Sequence, residues 1–136
     1  MLRPDDFLKG QLVLYGWRNG KYFGGHLASE AIMHVLGNRQ RLGWGSWMDV
    51  IATAPSRQAT LELIEDVPQV WEPAFSRLLH SVESIFDGSA KDLSGGALYW
   101  FDSSKEVTNP WFKEKILGDL TTHAKCADMN SLMFLR

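Results

Sequence analysis

The apolar positions of this chain fall into two textures, a helical one up to residue 88 and a strand-like one beyond it. Over residues 26 to 42 the period is helical, with Leu27, Ala28, Ala31, Ile32, Val35 and Leu36 covering most of the circumference. A helix so extensively apolar belongs at the centre of a domain. Its polar minority is ordered too, since His26, Glu30, His34 and Asn38 recur every fourth residue and share one stripe. A second amphipathic run, PAFSRLLHSVESIFDG at 73 to 88, repeats Phe75, Leu78, Leu79, Val82, Ile85 and Phe86 at helical spacing and stops at Gly88. Shorter helical signals lie at 5 to 15, entered through Pro4-Asp5 and ending at Gly16, at 47 to 52 ahead of Pro55, and at 110 to 117.

After Gly88 the pattern shortens. ALYWF at 97 to 101 and LMFLR at 132 to 136 are apolar runs of strand length, and the glycine clusters at 16 to 25, 43 to 45 and 95 to 96 read as turns. Helices followed by a small sheet predict a mainly α-helical α+β domain with a small antiparallel sheet near the C-terminus. The 136 residues show no internal repeat and no linker, so one domain spanning 1–136 is expected.

Charge narrows the function classes. Fourteen basic and sixteen acidic residues are spread along the chain, for a formal net charge of -2, which does not favour binding to a phosphate backbone. No nucleic-acid partner is expected. No stretch of 18 apolar residues occurs and the N-terminal MLRPDDFLKG lacks a basic-then-apolar export pattern, so neither a membrane partner nor a signal peptide is expected. The single cysteine, Cys126, cannot form an intrachain disulfide and reads as a small packed thiol.

Metal chemistry finds little support. His26, Glu30 and His34 span about 12 Å along a helix, too far for three ligands on one ion, and His123 with Cys126 has no second cluster to complete a tetrahedral site. No metal and no cofactor are expected. In the turn ahead of ALYWF, Gly95-Gly96 permits a tight reversal and Asp92 is placed to cap it through its side chain. Asn38 and Arg39 are placed to cap a helix end and to pair with acids. Of the six tryptophans, at 17, 44, 47, 71, 100 and 111, most are expected in the core and only one or two exposed.

Taken in order, several of these segments resemble the spore-cortex-lytic (SleB-like) family of cell-wall hydrolases. DGSAKDLSGGALYWFDSSKEVTNPWF at 87 to 112 is similar to the family segment in which a glycine, an aspartate, a turn, a GAL-aromatic strand and a Pro-Trp pair follow one another. Upstream, Tyr15-Gly16, the apolar helix and Asn38-Arg39 resemble the family's first motif, GSWMDVIA at 45 to 52 the next, and MNSLMFLR at 129 to 136 the closing strand. The resemblance implies a lysozyme-like fold and muralytic chemistry of the lytic-transglycosylase kind.

The family's catalytic glutamate follows the Tyr-Gly pair, and here that place is held by Trp17. An indole neither gives nor takes the proton that glycosidic cleavage requires. The family's Gln-Phe-Ser element is not visible in TAPSRQATLE, and its C-terminal histidine falls near Leu132. The resemblance therefore implies a degenerate cell-wall-hydrolase-like domain, a bacteriophage virion or tail component or a peptidoglycan-contacting protein without catalysis. The alternative is an active muralytic enzyme with a relocated acid, for which Glu30 on the central helix is the catalytic candidate. Candidate substrate- or partner-binding residues are Trp17, Tyr22, His34, Asn38, Tyr99 and Trp111. Expected partners are other virion or tail proteins or peptidoglycan, with an oligomer within an assembly left open. The expected location is the virion, or the host cytoplasm during assembly.

Overall fold

A computed structural model describes residues 12, 13, 15, 16, 19, 20, 26–46, 49, 50, 81–85 and 87–136, without the side chain of His26. The expected central helix is α1, His26–Arg41, and it carries Arg39 and Arg41 in its last turn, where cations complement the helix dipole. Ala28, Ala31, Ile32, Val35 and Leu36 are buried as the period requires, and Met33 joins them; Leu27 is 49% exposed and stands outside the stripe.

Gly16 is itself in helical backbone, and the backbone at 19–20 is helical too. Its role is close approach. A Cβ on Gly16 would lie 2.5 Å from Met33 Cγ, and one on Gly20 would lie 2.6 Å from the Ser29 backbone nitrogen, so these two glycines let the segment pack directly on α1. Leu12, Val13 and Tyr15, from the same segment, are buried in the core formed with α1.

The helix stops through a Schellman motif. Gly43, with φ of 92°, occupies the left-handed position; the Gly43 N–H donates to the Gln40 carbonyl at 3.1 Å, and the Trp44 N–H donates to the Arg39 carbonyl at 3.1 Å. This geometry folds Trp44 back beside Arg39. A new helical turn begins at once, since Ser46 Oγ accepts from the Asp49 N–H at 3.2 Å while Asp49 Oδ2 accepts from the Ser46 N–H at 3.1 Å.

The sheet has three antiparallel strands, β1 Tyr99–Asp102, β2 Lys125–Met129 and β3 Leu132–Leu135, in the order β1-β3-β2. The most apolar run is the central strand, where Leu132 and Phe134 are buried against the core. β2 was not among the expected strands. Its sequence KCADM has neither an apolar run nor clean alternation, because it forms a half-exposed edge with a register irregularity between Lys125 and Ala127. The helices with this small sheet make the domain α+β.

Register decides what each face of the sheet presents. Trp100 pairs with Phe134, packs against the core and meets Tyr15 edge-on at 6.4 Å, so alternation turns Tyr99 and Phe101 to the opposite face. Over that second face lies a π-helical segment, Phe112–Leu117, opened by Asn109, whose Oδ1 accepts from the Phe112 N–H at 3.1 Å. Phe112 stands 6.1 Å from the Tyr99 ring and 5.9 Å from the Phe101 ring, and Ile116 is buried beneath the segment. Among the described residues, no helix is long and apolar enough to cross a membrane.

Candidate functional site

Two neighbouring side chains at the end of α1 reach the same stretch of chain and organise two different places. Asn38 reaches the turn that precedes β1. Its Nδ2 donates to Asp92 Oδ2 at 2.8 Å and to the Ala97 carbonyl at 3.0 Å, with Ser94 Oγ at 3.4 Å. Asp92 in turn accepts from the Ser94 N–H at 2.8 Å and the Ser94 hydroxyl at 2.6 Å on Oδ1, and from the Gly96 N–H at 2.9 Å on Oδ2. The expected side-chain cap of the turn is therefore present, and α1 locks it.

Burial alone would raise the Asp92 pKa. The hydrogen bonds from Ser94 and Asn38, with His34 nearby, outweigh that and hold it below the ordinary carboxylate value. His34 lies one turn before Asn38, with Nδ1 3.8 Å from Asp92 Oδ1 and without a hydrogen-bond partner. It is 3% exposed. Desolvation lowers its pKa, Arg41 lowers it further, and Asp92, Glu30 and the backbone at Lys91 act in the opposite direction. The imidazole is held neutral.

Arg39, the next residue after Asn38, points to the aromatic face. Its Nε donates to the Leu98 carbonyl at 2.7 Å, and its guanidinium carbon sits 5.0 Å from the Trp44 ring centre and 5.5 Å from that of Tyr99. Among the described residues Arg39 is not paired with an acid; a carbonyl and two aromatic rings are its partners. Burial lowers its pKa, and Tyr15 and Tyr99 counter this, but a guanidinium stays charged at any physiological pH.

Around Arg39 opens a cavity of about 620 Å³, lined by Trp44, Tyr99, Phe101, Trp111 and Phe112. That volume falls in the range of small-ligand sites. Tyr99 is its centre, in contact with Trp44 at 5.8 Å, Trp111 at 6.5 Å and the ring of His123 at 5.4 Å. His123 is itself fixed by an Nδ1–H donated to the Arg136 carbonyl at 2.9 Å. The rim is open, since Trp44 is 42% and Trp111 56% exposed. Two exposed tryptophans flanking one tyrosine form a platform suited to flat apolar faces.

The expected site residues separate accordingly. Tyr99 and Trp111 come together in the cavity. His34 and Asn38 share the Asp92 turn instead, where the Asn38 amide holds backbone together. Glu30 stands away from the lining of the cavity and accepts a hydrogen bond from the Ser81 hydroxyl at 2.6 Å. Trp17 and Tyr22 lie outside the described residues. Cys126 is half-buried, and its thiol faces the Ala124 carbonyl at 3.6 Å. Among the described residues, no group of three His, Cys, Asp or Glu side chains could hold a metal ion.

Sequence reasoning missed Arg39 and Trp44 as site residues. The available signal was the Gly43 stop, which fixes the residue after it relative to the last turn of the helix. Comparison of the chain with family models, with curated proteins and with solved structures finds no match in any of the three.

Proposed function

We propose that this domain is a binding module with a lysozyme-like fold, a degenerate relative of the spore-cortex-lytic cell-wall hydrolases that contacts peptidoglycan from a virion or tail without cutting it. The observation that carries the reading is the open aromatic cavity. Trp44, Tyr99 and Trp111 offer ring faces to the apolar side of a sugar, and no carboxylate lines the cavity among the described residues. Cleavage of a glycosidic bond needs a carboxyl group at the scissile oxygen. A groove furnished with rings and one cation retains a glycan and leaves its linkages intact.

A second observation supports the relationship to cell-wall hydrolases. The separated segments that carry the resemblance meet in space: Asn38 bonds Asp92, Ser94 and Ala97, and Arg39 bonds Leu98. Residues 54 or more positions apart thus form one scaffold.

Co-sedimentation with purified peptidoglycan tests the reading. The wild-type chain is expected to pellet with the sacculi and Trp111→Ala to stay in solution, while a turbidity assay shows no clearing. Clearing that disappears with Glu30→Gln would establish a working enzyme and overturn the non-catalytic reading.

A further inference from the structure

Arg39 is an unusual cation to find in an aromatic cavity. It is 7% exposed, lines the open space, and has one hydrogen bond, from Nε to Leu98. Among the described residues no carboxylate pairs with it, and no hydrogen bond is made by either terminal nitrogen. A buried charge without a counter-ion is costly. Stacking on Trp44 and Tyr99 offsets part of that cost and supplies no counter-charge. The residue is therefore short of an anion, and the cavity is the direction from which one can arrive.

The shape of the shortfall specifies the anion. With Nε held by the Leu98 carbonyl, the two Nη groups remain, and together they match the two oxygens of a planar carboxylate. Arg39 is the one cation among the described lining residues, which suits a single negative charge better than a phosphate dianion. Asn109, also on the lining, is an uncharged amide whose Oδ1 accepts from the Phe112 N–H.

We propose that the cavity selects saccharides that carry a carboxylate, the sugar ring lying against Trp44, Tyr99 and Trp111 and the carboxylate taken by the two Nη groups of Arg39. This rests on the cavity being a saccharide site; what it adds is acidic specificity and the residue that confers it. Arg39 is then a specificity-determining residue, and an acidic glycan is its ligand.

The test compares methyl β-glucuronide with methyl β-glucoside, which differ by a carboxylate in place of a hydroxymethyl group, by tryptophan fluorescence titration at neutral pH and low salt. The acid is expected to bind about 10-fold more tightly, the value of one charge-assisted hydrogen-bond pair. Arg39→Lys should reduce that preference, read as the ratio of the variant's own two affinities, to about 2-fold, because an ammonium keeps the charge and loses the fork. Should that variant fail to fold, Asn109→Asp serves, since it preserves the acceptor for Phe112 and places a negative charge on the lining; it should abolish the preference. Equal affinity of the wild-type chain for both sugars overturns the acidic specificity and leaves the saccharide site standing. If neither sugar perturbs the fluorescence the proposal also falls, and loss of peptidoglycan co-sedimentation would then show that the saccharide reading falls with it.

Discussion

Asn38 and Arg39 are adjacent on α1 and both reach the segment that leads into β1, yet they do opposite things. Asn38 has both amide hydrogens engaged, on Asp92 and on the Ala97 carbonyl, inside a turn whose other donors are also satisfied. Among the described residues Arg39 has one bond to backbone, two aromatic neighbours and no anion. A polar group whose partners all come from its own chain is explained by folding alone. A buried cation whose partners are incomplete and which borders open space asks for something from outside. The two residues separate a structural clamp from the proposed binding face within one helical step.

Substitutions can break that separation, and the largest effect on stability is expected in the clamp. Asp92→Ala leaves the donors of Ser94, Gly96 and Asn38 without their acceptor, and should lower unfolding stability by about 3 kcal/mol in urea denaturation. A loss below about 0.5 kcal/mol would show that the turn holds without its aspartate. Gly43→Ala comes next. A side chain at φ of 92° is strained, so about 1 kcal/mol should be lost, and sugar binding should weaken because the turn that brings Trp44 to Arg39 is disturbed.

Acid sharpens the contrast further. The folded chain holds His34 neutral, with its pKa lowered by desolvation. On acidification through the ordinary imidazole value of about 6.5, the unfolded chain takes up a proton that the folded chain refuses. The stability from His34 is therefore full above about pH 6.5 and declines below it. Thermal melts should show Tm falling from pH 7 to 5.5, and His34→Gln should flatten that slope. Asp92, with its lowered pKa, retains its contribution until pH drops below the ordinary carboxylate range and then loses it, so the two groups act in separate windows.

The smallest effect on stability belongs to the binding face. Trp111 is more exposed than buried, so Trp111→Ala should change unfolding stability by no more than about 0.5 kcal/mol while removing peptidoglycan binding. A large loss of stability with binding retained would reverse the assignment of the two regions.

What the sequence determined by itself follows from short-range physics. The helical period of residues 26 to 42 located α1, the apolar runs at 97 to 101 and 132 to 136 located β1 and β3, and the Asp92 turn was legible because an aspartate ahead of two glycines has a local hydrogen-bonding role. Each of these depends on residues within a few positions of one another. β2 was not legible, since edge strands gain their pairing from a neighbour and KCADM carries no pattern of its own. Nor was the close approach of Gly16 to Met33 and Ser29.

The aromatic cavity was decided by tertiary structure alone. Tyr99 and Trp111 stood out individually, but only the register of β1 on β3 turns Tyr99 away from the core, and only the stop at Gly43 lays Trp44 over Arg39. Whether an arginine meets a carboxylate, a carbonyl or an empty space depends on chain segments about 59 residues apart coming together. Periodicity carries information about which side of an element is buried; it carries none about what lies across the gap.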